Sequence, residues 1–404
     1  MNDGALSGLK ILEYGEFVSA PYCGKLLADL GADVIKVEKP GVGDSARKQG
    51  PFPQDIPHPE KSGLFLYLNT NKRGVTLNLQ SAAGKKIFKE LIKWADVLVE
   101  NQPPQDAKKI GIDYETLHRI NPALVVTSIT YFGQTGPYRD YKGSNLISMH
   151  MSAEAFLNPA YEVYDSDHNP PLKLPGHTGD FVGGLVGAIC TMSGVFAQQA
   201  TGLGQHIDLS QQEALACIIC HEVGDYYDSG VIYLRDRKYR WENSPKYPCK
   251  DGFIMMNIPF QFWESVIEMM GSPDWSKNQA YKTEVGLHSN WKEIQPGIIE
   301  WMKQHTVAEV EKAAKAKRLD ISIIYSAKEV AEHELFAARG FFIEVDHKAA
   351  GKVKFPGAPW KFSSTPSKIT RPAPLLGEHN YEVYCQILGY TAENLVKMKQ
   401  ACTI

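Results

Sequence analysis

Asp180 stands in the run Leu174-Pro-Gly-His-Thr-Gly-Asp-Phe-Val-Gly-Gly184, where a carboxylate meets a glycine-rich approach to an apolar helix. Gly179 puts no side chain in the way of a substrate, and an aspartate ionised at neutral pH can act as a nucleophile. The same position also suits an aspartate that does nothing but cap the helix. Ser19, in Tyr14-Gly-Glu-Phe-Val-Ser-Ala-Pro-Tyr-Cys-Gly24, reads as an N-cap with Pro21 in the first turn, its neighbouring backbone N–H groups open to a ligand's polar atoms. That turn carries neither the GxGxxG dinucleotide fingerprint nor a Walker A lysine loop, which disfavours NAD and ATP. Lys36, Lys39, Lys72, Arg73 and Lys109 fall near the ends of early strands, where cations suit an anionic, phosphate-bearing ligand. His118, His150, His177 and His221 share no HxxH or HExxH spacing, so no metal site is expected. Cys217 and Cys220 read as small buried residues on one apolar helix rather than as a redox or zinc pair.

The elements that must position these residues begin with an alternation of strand and helix. Leu9-Lys-Ile-Leu-Glu-Tyr14, Ala32-Asp-Val-Ile-Lys-Val37, Val75-Thr-Leu-Asn-Leu79, Asp96-Val-Leu-Val99 and Leu124-Val-Val-Thr-Ser-Ile129 read as strands, with helices at 21–30 and 81–94. Such alternation predicts βαβ units, a parallel sheet and a doubly wound α/β fold. From Ser144 to Asp228 the pattern is mainly helical. The stretch 181–200 reads as a buried, glycine-interrupted helix, and Ser210-Gln-Gln-Glu213 as a capping box. No apolar run reaches the about 18 residues of a membrane helix. Residues 229–325 change texture and suggest a smaller α+β domain, with Asp251-Gly252 as a hairpin turn.

Composition narrows the function classes. The 404 residues, with 43 Lys+Arg against 46 Asp+Glu and a net charge of −3, exclude a polybasic nucleic-acid binder and a disordered tail protein. The seven cysteines are odd in number and scattered, unlike a disulfide scaffold. With no basic, apolar leader at the N-terminus, an intracellular, cytoplasmic protein is expected, without membrane or nucleic-acid partner.

The segments then combine. Leu6-Ser-Gly-Leu-Lys-Ile-Leu-Glu13; Leu27-Ala-Asp-Leu-Gly-Ala-Asp-Val-Ile-Lys-Val-Glu38; Asn69-Thr-Asn-Lys-Arg73; Ala95-Asp-Val-Leu-Val-Glu-Asn101; Phe132-Gly-Gln-Thr-Gly-Pro137; Gly179-Asp180; Gly202-Leu-Gly-Gln-His-Ile-Asp208; and Pro374-Leu-Leu-Gly-Glu-His379 occur in order along the chain. Together they resemble the class III CoA-transferases, the family of formyl-CoA transferase and carnitine CoA-transferase. The resemblance implies a Rossmann-like large domain built from both chain ends (1–228 and a return segment at 326–404), a small domain at 229–325, and an interlocked dimer. It makes Asp180 the nucleophile, passing through a mixed anhydride and an aspartyl-CoA thioester, with CoA and acyl-CoA as substrates and no tightly bound cofactor. N–H donors for the oxyanions would come from the Ser19-Ala20 turn.

By the same resemblance, Phe17, Ser19, Lys39, Leu77, Asn101, Gln102 and Lys109 contact CoA, and Val18 and Gly179 border the substrate. Three departures set the formyl/oxalate pair aside: Val18 replaces a glutamine, Thr130 a lysine, and no glycine-rich shielding loop lies between Arg240 and Gly252. The acceptor suggested by the aromatic run 226–241 is a bulky or aromatic acid, and succinyl-CoA a possible donor. Two rivals remain. An α-methylacyl-CoA racemase would need a histidine where Ser144 stands, and a non-catalytic subunit of a hetero-oligomer would not need Asp180.

Overall fold

A computed structural model of the chain describes residues 4–158, 170–233 and 246–404. Among these, one compact unit takes in the chain up to Asn158, Leu172–Val231 and Gly340–Ile404, and a second is built on Ile232–Arg339. The expected boundary at 325 therefore falls inside the second unit, where Ala327–Glu332 and Glu334–Ala338 form two further short helices.

The first unit is organised on a six-stranded sheet in the order β3-β2-β1-β4-β5-β6. Its strands are β1 (Lys10–Tyr14), β2 (Asp33–Glu38), β3 (Lys72–Thr76), β4 (Val97–Glu100), β5 (Val125–Thr130) and β6 (His206–Ser210), all paired in parallel. The α/β expectation holds. The order reverses between β1 and β4, and open sheets of this kind bind ligands beyond the carboxyl ends of the strands at that switch point. One face is filled by Leu12, Ile35, Val75, Leu98 and Val126, against which Ile87, Phe88 and Leu91 of the helix Ala82–Trp94 pack.

The third strand lies earlier than expected, at Lys72–Thr76 rather than 75–79, because two cations begin it. Lys72 is wholly buried, with its ammonium 2.7 Å from Glu13 Oε2. Lys36, also wholly buried, lies 2.9 Å from Glu13 Oε1 and 2.7 Å from Asp44 Oδ2. Arg73 forks onto Asp33 at 2.5 Å and reaches Glu382 at 3.1 Å. The reading of Lys36 and Lys72 as ligand cations is thus overturned, while Arg73 is engaged by two partly exposed carboxylates. The two lysines are internal counter-ions, and removing one partner of such a pair costs about 3–5 kcal/mol because the other charge stays buried.

The helix Thr178–Thr201 ends on Gly202 at φ 75 and presents two faces. A Cβ on Gly184 would lie 2.5 Å from the Ser19 carbonyl oxygen, and one on Gly187 2.6 Å from Ile129 Cδ1, so these glycines allow backbone-close packing on the helix Ser19–Asp29 and on β5. Leu185, Ile189 and Phe196 form an exposed stripe on another side, Phe196 at 77%. The expectation of a buried, tightly packed helix holds for the glycine face and is corrected for the exposed one. By length and composition alone the helix is also apolar enough to cross a membrane, which corrects the count of apolar runs, since glycine barely dilutes apolarity.

Cys217 ends the helix Gln211–Ala216 and Cys220 starts Cys220–Ser229; both are exposed, so the picture of two buried residues on one helix fails at this break. Ser210 does cap the shorter helix, accepting from the Glu213 N–H at 3.3 Å. In the second unit β7 (Lys246–Pro248), β8 (Phe253–Met256) and β9 (Ile321–Ile323) form an antiparallel sheet, and the Cys249 N–H closes the Asp251-Gly252 turn onto the Gly252 carbonyl at 2.8 Å. Its core is built on Trp263, Trp291, Ile294 and Met302.

Candidate active site

The first βα turn is set from below. Asp44 Oδ1 accepts from the Phe17 N–H at 2.8 Å, while its other oxygen holds Lys36. This fixes Phe17 at φ 69, a left-handed conformation that a bulky residue adopts only under constraint. Val18, wholly buried, takes the N-cap place without a side-chain cap, so Ser19 is the first helical residue rather than the cap. The Tyr22 N–H is bonded to the Val18 carbonyl at 2.8 Å, and the N–H groups before it, including those of Ser19 and Ala20, precede the first intrahelical bond.

Asn101, just past β4, ties the turn to the neighbouring strand. Its Oδ1 accepts from the Glu16 N–H at 3.0 Å, and its Nδ2 donates to the Glu16 carbonyl at 2.8 Å and to Ser19 Oγ at 3.0 Å. Beneath it, burial lifts Glu100 to about 7, even though Ser128 and the Gln102 N–H, which donates to Oε2 at 2.6 Å, pull it down.

Around this switch point lies a groove of about 640 Å³, within the usual range of ligand pockets, about 300–1,000 Å³. Ser19, Lys39, Asn101 and Gln102 line it, together with Tyr131, Arg139, Lys142 and Gln211. Lys39 sits at the rim, 54% exposed and 2.9 Å from Glu16. Lys109 is exposed on the helix Pro104–Ile110 and pairs with Asp106, a groove residue, at 3.0 Å. Leu77 is wholly buried in the core, so its side chain is not offered to solvent.

Asp180 lies where the groove's Tyr131 and Gln211 bear on it. It is in the first turn of its helix, with His177 as the N-cap residue, so capping is not its task. The residue is 2% exposed. Burial raises its pKa to about 6, against the Gln211 amide, the Tyr131 hydroxyl and Lys173, which all favour the anion. The Tyr131 phenol is itself pushed up, by burial and then by the Asp180 charge, and so stays a proton donor.

Its supports come from the helix Asn145–Met151. Asn145 Oδ1 accepts from the Asp180 N–H at 3.2 Å, and Ser148 Oγ accepts from Gln211 Nε2 at 2.8 Å. A Cβ at Gly179 would lie 2.8 Å from Asn145 Oδ1, which is why glycine precedes the aspartate. Ser144 caps this helix through the Ile147 N–H at 3.3 Å.

A buried carboxylate touched by two residues that line a groove at the switch point is an arrangement that could serve nucleophilic acyl chemistry. The chain matches the family model of CoA-transferase family III over residues 6–380. It belongs to that family. The transferase is 28% identical, over 98% of this chain and 96% of the relative, to a succinyl-CoA–D-citramalate CoA-transferase of Chloroflexus aurantiacus. It is 31% identical, over the same shares, to a formyl-CoA:oxalate CoA-transferase of Rhodopseudomonas palustris. Among solved structures, a CAIB/BAIF family protein from Brucella suis matches with a TM-score of 0.82 and 26% identity, covering 95% of this chain and 99% of that one. The protein is an enzyme of the CoA-transferase class, and its substrates are CoA thioesters and carboxylic acids.

Tyr131, Gln211 and Asn145 were not legible as site residues, because they gather around Asp180 only through space, and His177, three residues before it, was weighed only as a metal ligand. Gln211 and Asn145 each follow a helix-capping serine, and that cap was the one local signal they carried. Among the described residues no group of three or more His, Cys, Asp or Glu gathers to hold a metal. Residues 234–241 of the aromatic run lie outside the described residues, as does part of the segment from Arg240 to Gly252.

Proposed function

We propose that this transferase moves CoA from a donor acyl-CoA, succinyl-CoA foremost, to an organic acid, with Asp180 as the nucleophile. The single observation that carries the reading is the buried Asp180 carboxylate beside the groove lined by Ser19, Lys39, Asn101 and Gln102. Asp180 attacks the thioester carbonyl to give a mixed anhydride and CoA thiolate. The thiolate attacks the aspartyl carbonyl, expelling the donor acid and leaving an aspartyl-CoA thioester. The acceptor carboxylate attacks that thioester, expelling CoA thiolate and forming a second anhydride, and the thiolate then attacks the acceptor's acyl carbonyl, giving the new acyl-CoA and freeing the Asp180 carboxylate. Covalent relay of this kind keeps the thioester's free energy in the enzyme, so no ATP is needed.

Succinyl-CoA is favoured as donor by the named activity of the Chloroflexus relative. A bulky or aromatic acceptor rests on the aromatic run, of which Tyr226 and Tyr227 are exposed. CoA contacts are assigned to Phe17, Ser19, Lys39, Asn101, Gln102 and Lys109, with Leu77 contributing backbone alone, and no tightly bound cofactor is required.

An interlocked homodimer in the cytoplasm is part of the same reading. The stripe of Leu185, Ile189 and Phe196 is apolar surface of the kind that partners cover, and all seven cysteines are free, as a reducing compartment requires.

The test is direct. Purified protein with succinyl-, acetyl- and aryl-CoA donors and a carboxylate panel should yield a new acyl-CoA, and mass spectrometry of the quenched enzyme should find CoA on Asp180. Asp180→Ala should abolish both signals. Turnover retained in that variant, or none with any donor in the wild type, would overturn the assignment.

A further inference from the structure

One oxygen of the Asp180 carboxylate, Oδ2, is buried and has no hydrogen-bond partner among the described residues. The His177 ring approaches this oxygen, with Nδ1 at 3.7 Å, while Gln211 and Tyr131 also bear on the carboxylate. That ring is held edge-on by Phe17, centroids 4.7 Å apart at 81°, and Phe17 is itself fixed by Asp44. The loop carrying His177 is pinned as well, since Lys173 Nζ donates to the Leu174 and Gly176 carbonyls at 3.0 and 2.9 Å. On the side of the first turn, Val18 is wholly buried and offers no side-chain donor.

We propose that His177 donates its Nδ1–H to the oxyanion that forms on the Asp180 carboxyl group as the acyl intermediates interconvert. This rests on the transferase reading. When CoA thiolate attacks the aspartyl carbonyl, the new C–S bond forms and the carbonyl π pair moves onto oxygen. On collapse that pair returns, the bond to the donor carboxylate breaks, and the donor leaves with its electrons. The imidazole keeps its proton throughout.

A distance of 3.7 Å is too long for a hydrogen bond to the resting carboxylate. It suits a donor aimed at charge that develops later, because such contacts tighten in the reacting complex. Burial, with Lys173 beside it, lowers the His177 pKa, so the ring at neutral pH is an uncharged donor rather than an ion-pair partner. The proposal sets the tautomer with the proton on Nδ1.

The experiment compares wild type, His177→Ala and His177→Asn, whose amide reaches toward the same oxygen. The alanine variant should lose about a hundredfold in kcat, as removal of one oxyanion donor does, with KM for the acyl-CoA held within about threefold. Asparagine should restore a large part of kcat, and no new limb should enter the kcat–pH profile. An unchanged kcat in His177→Ala overturns the proposal, as does an asparagine variant that folds normally yet remains as slow as alanine. Deuterium entering the acyl α-carbon in D2O without acceptor, and lost in His177→Ala, would also overturn it by making the ring a base. A wild type inert toward every donor, with no CoA adduct, would instead overturn the transferase reading.

Discussion

Burying Asp180 raises its pKa to about 6, so the anion required of the proposed nucleophile forms only as pH climbs through that value. The acyl-transfer rate in the free enzyme should therefore fall below pH 6, with kcat/KM for the donor tracing a single ascending limb near that pKa. Stability runs the other way. With an unfolded value of about 3.9, the folded state holds the extra proton between the two pKa values, so stability falls as pH rises through that window. Above about pH 6 the whole cost is in place. Asp180→Asn should then be inactive yet more stable than wild type at pH 8, by up to about 3 kcal/mol, with the difference shrinking toward pH 4 in denaturant titrations. Gly179 and the small-residue helix mark Asp180 in the sequence, but the same pattern suits a helix cap, and only the family resemblance gives it a chemical role. Lys36 and Lys72 were misread because sequence does not distinguish a solvated lysine from one neutralised by Glu13 at the core of a sheet.

Among the elements, the helix Thr178–Thr201 links packing to chemistry, since the face that carries Gly184 and Gly187 also aims Asp180. Gly184→Ala would set a methyl against the Ser19 carbonyl oxygen, a backbone atom that cannot swing away. Overpacking of this kind costs about 1–3 kcal/mol. The expected result is a lower Tm together with a lower kcat, because the helix shifts away from the Ser19 turn. Strand and helix order could be read from periodicity, and four of the five expected strands fell within one residue of their place. The third did not, because ion pairs made with distant residues turned two polar positions into buried ones. The break between Cys217 and Cys220 was likewise invisible, as nothing in the apolar run Ala216-Cys-Ile-Ile-Cys-His221 marks where one helix stops.

For the whole molecule, the exposed stripe of Leu185, Ile189 and Phe196 is the feature that a free chain of 45.0 kDa does not account for. Light scattering should give about twice that mass, and Phe196→Glu should shift the mass toward one chain, since a charge placed in an apolar contact is not solvated there. The doubly wound sheet was readable from local pattern, and the family from short motifs spread along the chain. The end of the second unit at Arg339 was not, because Ala327–Glu332 and Glu334–Ala338 look in sequence like any surface helices.

The edge of the sheet beyond β3 is sealed by the last stretch of the chain. Tyr384 donates to the Thr76 carbonyl at 2.8 Å, the Asn71 N–H reaches the Arg371 carbonyl at 2.9 Å, and the Asn78 N–H reaches the Thr403 carbonyl at 2.8 Å. These partners are made some 300 residues apart in synthesis. On the ribosome the early strands therefore emerge with an open edge and an unfilled core, and they must wait through the synthesis of the entire second unit before Val383 and Tyr384 close them. Contacts so distant in sequence slow folding and lengthen the exposure of a bare strand edge. Nascent chains arrested before residue 370 should thus engage holding chaperones far longer than chains released at full length.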